Sequence, residues 1–257
     1  MAKISKIDSK KHDEAEALVK ASESRRLTLP EREFVIENWN PAARHNIGKH
    51  SVFFTPMDMA SALAIETGHL EAKRKHRVLD LCAGIGRLSW GVLNHHSLNR
   101  DNIELVCLEL NPDFVRVGQA VLPEATWIQG SFLNPALIST LGRFDLVISN
   151  PPFAKIPQHE RAELPYNGGL MEYAACQVAL QVGDAGVFIL PQHRCPFEYS
   201  GKQTFNKKEN RTYEKFSQDS GLEFEMNCGI DTQSLEDFVD TNVVVEIVHV
   251  VKAKVTT

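Results

Sequence analysis

Between residues 77 and 190 the chain alternates short apolar runs with stretches whose apolar residues recur at helical spacing, and this alternation predicts its elements. Strands are expected over 77–81, 104–109, 126–129, 144–149 and 186–190. The helices between them are expected over 87–94, 113–121, 135–141 and 170–182. Strand and helix in series imply a mostly parallel sheet covered on both faces. Two later apolar stretches, 222–228 and 242–251, read as the last strands, one of them antiparallel, with a small polar helix over 234–239 between them. The pattern therefore predicts a doubly wound α/β fold with seven strands. Upstream, residues 8–26 read as an exposed helix. Thr28-Leu29-Pro30 starts a second helix that Asn40-Pro41 breaks, and 57–67 forms a third that Gly68 ends.

This division gives an N-terminal helical extension over 1–47 and one α/β domain over 48–257. Two polar segments interrupt the domain, 154–169 and 192–220, and both leave C-terminal strand edges, where loops usually carry function. The length of 257 residues suits one large domain, and 43% hydrophobic residues suffice for a full core. The net charge of −5 excludes a protein that coats nucleic acid through its overall charge, so any such contact must use local cations. No apolar run approaches the length that crosses a bilayer. The five cysteines contain no CxxC pair and read as reduced thiols of a cytoplasmic protein. His95 and His96 are adjacent and cannot share a helix face, so no metal site is expected.

Candidate chemistry gathers at three of the predicted strand ends. After the first strand comes Asp80-Leu81-Cys82-Ala83-Gly84-Ile85-Gly86-Arg87-Leu88-Ser89, a Gly-rich turn opening a helix. The small residues Cys82, Ala83, Gly84 and Gly86 let the backbone approach a ligand closely. Ser89 stands where the dinucleotide fingerprint has Gly or Ala. Asp80 would repel a pyrophosphate and favours a ligand bearing an amino group. At the end of the second strand, Glu109 suits a bidentate contact to ribose hydroxyls, and Leu110 can cover an adenine face. After the fourth, Asn150-Pro151-Pro152-Phe153 offers two oxygen acceptors, the Asn150 side chain and the Pro151 carbonyl, to a planar NH2 group, with Phe153 as a stacking face. Ahead of them all lies Phe54-Thr55-Pro56, in which Thr55 can cap the helix that Pro56 begins.

Together these motifs resemble the class I S-adenosylmethionine-dependent methyltransferases. Their order, aromatic-Thr-Pro, then the Gly-rich turn, then Asn-Pro-Pro-Phe, is similar to that of the adenine-N6-specific DNA methyltransferases of the gamma arrangement. The resemblance covers residues 48–190 and implies S-adenosylmethionine as cofactor, held by Phe54, Thr55, Pro56, Asp80, Cys82, Ala83, Gly84, Gly86, Glu109, Leu110, Ser131 and Phe132. It implies transfer at Asn150, Pro151, Pro152 and Phe153 to N6 of adenine, with DNA as partner. Two departures stand out. Gln129-Gly130-Ser131-Phe132 lacks the acid that often meets the cofactor's adenine amino group, and no large target-recognition domain is apparent. Substrate contacts therefore fall to the two polar segments and the N-terminal helices, with Tyr166 closing over the base and Arg194, Lys207 and Lys208 meeting phosphates.

The same residues leave other acceptors open. RNA enzymes that methylate adenine or guanine amino groups also use Asn-Pro-Pro-Phe. Enzymes that methylate a protein glutamine amide more often carry Tyr in the fourth position. A domain that only binds would be expected to have lost the asparagine.

Overall fold

The structure, a computed structural model, describes residues 6–40, 55–68, 70, 73–95, 100–161, 163–235 and 243–253. It opens with the helices α1 (Lys6–Ala21), α2 (Leu29–Asn38) and α3 (Met57–Ile65). The alternation follows as β1 (His76–Asp80), α4 (Arg87–Leu93), β2 (Ile103–Glu109), α5 (Pro112–Val121), β3 (Thr126–Gln129), α6 (Pro135–Thr140), β4 (Phe144–Ser149), α7 (Met171–Val182) and β5 (Gly183–Pro191). Then come a small ribbon, β6 (Phe197–Glu198) and β7 (Asn206–Lys207), the helix α8 (Arg211–Ser220), and the strands β8 (Leu222–Met226) and β9 (Val245–Lys252).

The main sheet has seven strands in the order β3-β2-β1-β4-β5-β9-β8. Pairing is parallel from β3 to β5, and β9 runs antiparallel to both β5 and β8. The expected reversed strand is therefore β9. Successive residues of the central strands face opposite layers. Val78, Leu146 and Val187 join one core with α1 to α5, whereas Leu79, Val147 and Phe188 join the other with α6, α7 and α8. Burial on both faces is why these strands read as continuous apolar runs.

From β1 the chain winds outward to β2 and β3, and from β4 it winds the other way to β5. The strand order thus switches between β1 and β4, and doubly wound sheets bind ligands outside the carboxyl ends of the strands at such a point. Asp80 of β1 lies opposite Ile148 of β4, two residues before Asn150. The Gly-rich turn and Asn-Pro-Pro-Phe are therefore neighbours.

Several details differ from the pattern. α1 ends at Ala21 rather than 26, because the hydroxyls of Ser22 and Ser24 bond back to the carbonyls of Val19 and Ala21. α3 ends at Ile65, and Gly68 is not in the left-handed region. Segment 192–220 is not a plain loop. It forms β6, β7 and α8, and α8 is anchored by the fully buried Phe216, whose ring stacks on Tyr173 at 4.4 Å. A 3-10 turn, Thr232–Ser234, leads up to the place of the polar helix expected over 234–239, most of which lies outside the described residues.

The first two helices are joined to the main body. Val19, Val35, Ile36 and Trp39 share the core with α3, α4 and α5. Arg116 pairs with Glu16 at 2.7 Å, and Arg32 pairs with Glu124 at 3.0 Å. Among the described residues no helix is long and apolar enough to cross a membrane.

Candidate active site

Asp80, the last residue of β1, is completely buried, and its carboxylate sits on the first turns of α4. The Ser89 hydroxyl donates to Oδ2 at 2.7 Å, while Oδ1 has no partner among the described residues. Burial pushes the Asp80 carboxyl up to about 7, against the opposing pull of the Ser89 hydrogen bond. Ser89 therefore supplies the donor for this acid, a role that the spacing of the glycines did not reveal.

The turn that follows depends on two glycines. Gly84 and Gly86 have φ of 56° and 91°, in the left-handed region. A Cβ at Gly86 would come within 2.7 Å of Leu122. The turn is tied to the end of β2, because Gly84 N donates to Glu109 Oε2 at 2.8 Å and Asn111 N donates to Oε1 at 2.8 Å. Burial raises the Glu109 carboxyl as well. Each of its oxygens keeps a further lone pair for a ligand hydroxyl. Ala83 is buried, with its N–H donating to Leu108 O at 3.0 Å, and Cys82 is half-buried with its thiol raised by burial. Leu110 is 64% exposed at the rim, an apolar face open to a flat ring.

The third strand end is arranged differently from expectation. The Ser131 hydroxyl accepts from Leu133 N at 3.1 Å, so it stabilises its own turn. Phe132 is buried in the core on the α6–α7 side.

At the end of β4, Asn150 is half-buried, Pro151 is buried, and Phe153 is 36% exposed. Asn150 Nδ2 donates to the Thr55 hydroxyl at 2.9 Å. The amide oxygen thus lies on the branch of the side chain that does not meet Thr55. Thr55 is buried and directly precedes Pro56, which serves as the N-cap of α3 rather than its first helical residue. Phe54 lies outside the described residues.

The expected substrate residues separate. Tyr166 does not lie in an open loop. It is buried, with its ring edge-on to Tyr173 and Phe216, and Gln177 bonds both its backbone N–H and its carbonyl. Its place in the polar segment after Asn-Pro-Pro-Phe, beside Asn167, Gly168 and Gly169, led to the expectation that it closes over a base, yet the aromatic core claims the ring. Arg194 is committed to Glu172, an almost fully buried acid in the first turn of α7. Its Nε lies 3.0 Å from Oε1, an ion pair outside hydrogen-bond geometry. Lys208 shares Glu198 with Lys202 at 3.8 and 3.5 Å. Lys207 is exposed and has no ion pair among the described residues.

The wall carrying Arg194 is held by Glu246 of β9, which is completely buried. Its Oε1 accepts from Gln192 Nε2 and from the N–H groups of Tyr199 and Ser200, and its Oε2 accepts from the Ser200 hydroxyl. No motif marked this acid. The one available signal was a charge inside an otherwise apolar run, Val243-Val244-Val245-Glu246-Ile247-Val248.

The arrangement fits S-adenosylmethionine. The orphaned oxygen of Asp80 suits a cationic amino group, the free lone pairs of Glu109 suit ribose hydroxyls, and the backbone at Gly86 leaves no room for a side chain. Among the described residues no cluster of three His, Cys, Asp or Glu side chains is placed to hold a metal ion.

Residues 47–164 match the methyltransferase small domain family. The ribosomal RNA small subunit methyltransferases C of Salmonella newport (strain SL254) and Salmonella typhi are each 30% identical over 129 residues. The matched part is 47% of this chain and 35% of each relative, so it spans about a third of their length. Among solved structures, a Listeria monocytogenes protein assigned to the class I S-adenosylmethionine-dependent methyltransferases superposes with a TM-score of 0.61 at 13% identity, covering 99% of this chain and 83% of that one. The methyltransferase subunit of a type I restriction-modification system from Streptococcus thermophilus gives 0.61 at 16% identity, covering 88% and 49%. The matched segment is similar to a methyltransferase domain, and the seven-stranded order is the fold of solved class I S-adenosylmethionine-dependent methyltransferases, a likeness that implies S-adenosylmethionine as cofactor.

Proposed function

We propose that the chain methylates the exocyclic amino nitrogen of a base in nucleic acid. One observation carries this reading. Asn150 stands at the end of β4 with its amide nitrogen engaged by Thr55, and its oxygen remains available to an N–H donor. An aromatic amino group is a poor nucleophile because its lone pair is delocalised into the ring. Asn150 Oδ1 and the Pro151 carbonyl would hold its two hydrogens and favour a tetrahedral nitrogen. The same oxygens would stabilise the positive charge that develops there, and they are fixed in place before the reaction begins. The half-exposed Phe153 offers a face for the base. Stacking on such a ring is worth roughly 1–3 kcal/mol, which offsets part of the cost of extracting a base from a helix. When bound, the cofactor supplies an electrophilic methyl carbon. The residues around it provide alignment rather than acid–base chemistry. No strong base is needed, because the methylated nitrogen is acidic and can release its proton to water.

The order of the motifs supports adenine N6 in DNA as the target. A second reading, an amino group in RNA, is favoured by the 30% identity over 129 residues to ribosomal RNA enzymes. Of the three cations expected to meet phosphates, Lys207 has no ion pair among the described residues, and Lys208 beside it shares Glu198. Arg194 serves the protein's own Glu172. The test is to incubate the protein with labelled S-adenosylmethionine and DNA, RNA and protein acceptors separately, digest the product, and identify the modified nucleoside. Label on an N6-methyladenine of DNA supports the first reading, and label on an RNA amino group supports the second. Label on carbon, ribose or protein alone refutes both.

A further inference from the structure

The contact between Asn150 and Thr55 joins residues 95 positions apart, and a second contact stands behind it. Arg87, the first residue of α4, directs three donors at backbone carbonyls: Nε to Ile36 at 2.9 Å, one terminal nitrogen to Thr55 at 3.0 Å, and the other to Glu37 at 3.2 Å. The guanidinium thereby connects the end of α2, the segment before α3 and the cofactor turn. Building on the amino-transfer reading above, we propose that Thr55 is a positioning residue that sets which end of the Asn150 amide faces the acceptor nitrogen, and that Arg87 holds Thr55 in place for this purpose.

The physical need is specific. The last torsion of an asparagine is broad and roughly two-fold, and the two ends of its amide have nearly the same shape. With oxygen forward, Asn150 accepts an N–H from the acceptor. With nitrogen forward, two donors confront each other. In the observed orientation Nδ2 donates to a hydroxyl that is itself buried, so the productive amide is satisfied at both ends once the acceptor binds. Donation by Nδ2 also polarises the amide and makes Oδ1 more negative. That gain grows as positive charge develops on the acceptor, so it belongs to the transition state more than to binding. Thr55 therefore acts through Asn150 rather than on the cofactor.

The test uses Thr55→Val, which keeps the shape and removes the acceptor, beside Thr55→Ser, which restores a hydroxyl. With the nucleic acid that the wild type labels, kcat of Thr55→Val should fall about 10- to 100-fold, the effect expected when a half-buried donor loses its partner and the amide loses its fixed orientation. KM and cofactor affinity by calorimetry should change less than about three-fold. Thr55→Ser should recover most of kcat. In an Asn150→Ala background the Val substitution should cost nothing further. Selective 15N labelling of asparagine supplies a readout that does not depend on turnover. The Asn150 side-chain amide should exchange slowly in the wild type and quickly in Thr55→Val. Wild-type kcat in Thr55→Val, a fall in cofactor affinity that accounts for its loss, or no recovery by Ser would each overturn the proposal. A slowly exchanging amide in a wild type that labels no amino acceptor would instead overturn the reaction assigned above.

Discussion

Replacing Asp80 by Asn should make the cofactor-free protein more resistant to heat at alkaline pH while weakening its grip on the cofactor. Asp80 is wholly buried, and its carboxyl is raised from an ordinary 3.8 to about 7 by that burial. In the unfolded chain the acid ionises near 3.8, so between the two values the native state holds a proton that the unfolded state has lost. Stability contributed by this group is therefore greatest below pH 4, falls as pH rises through the window, and levels off above 7. At about 1.4 kcal/mol per unit, the full cost of keeping Asp80 charged inside the fold is on the order of 4 kcal/mol at pH 8. Asn avoids that cost but places an amide N–H where Oδ1 now has no partner, which returns about 1–3 kcal/mol. The difference between two pH values cancels this second effect. From pH 5 to pH 8 the advantage of the variant should widen by about 3 kcal/mol, which corresponds to a melting-temperature gap growing by roughly 6–12 °C in a domain of this size. Calorimetric melts of both proteins at pH 5 and pH 8, without cofactor, measure it directly. A gap that stays constant across the two conditions would show that Asp80 does not titrate in this window. Adding cofactor should reverse the ranking at pH 8, since the wild type supplies the negative oxygen and the variant does not.

Other substitutions probe the rest of the edge. Asn150→Ala should reduce methyl transfer at least about 100-fold while calorimetry finds cofactor affinity nearly unchanged; an active variant removes Asn150 from the mechanism. Glu109→Gln turns an N–H toward the N–H of Gly84 or Asn111, and cofactor affinity should fall about 10- to 100-fold in the same titration; unaltered affinity would mean that Glu109 only braces the turn. Glu246→Ala leaves buried donors at Gln192, Tyr199 and Ser200 unpaired, and should cost on the order of 3 kcal/mol in urea denaturation. A loss below about 0.5 kcal/mol would show that the wall stands without it.

The parts of this protein that could be read from its sequence are those whose causes are local. A strand buried on both faces must be apolar throughout, so β1, β2, β4 and β5 declared themselves. A turn needing positive φ favours glycine, so Gly84 and Gly86 marked the turn after β1. The chemistry proposed for Asn150-Pro151-Pro152-Phe153 lies within four adjacent residues. The features missed were relations across the chain. Nothing near Thr55 points to Asn150, and nothing near Ser89 says that its hydroxyl serves Asp80 rather than a helix surface. Tyr166 was misplaced because its neighbours Asn167, Gly168 and Gly169 spell a turn, while the rings that enclose it come from α7 and α8. The helix α8 itself escaped notice because it gives the core one aromatic pair, Tyr213 and Phe216, in an otherwise polar stretch, too few apolar positions to show a period.

The strand order has a consequence for how the molecule opens. β9 lies between β5 and β8 and provides the carboxylate that fastens Tyr199 and Ser200, which stand 47 and 46 positions before it. The strands β1 to β5 pair among themselves without it. Fraying that begins at β9 should thus free residues 192–200 while the Gly-rich turn keeps its shape, and amide exchange should show that segment opening together with β9 and ahead of β1 and β4.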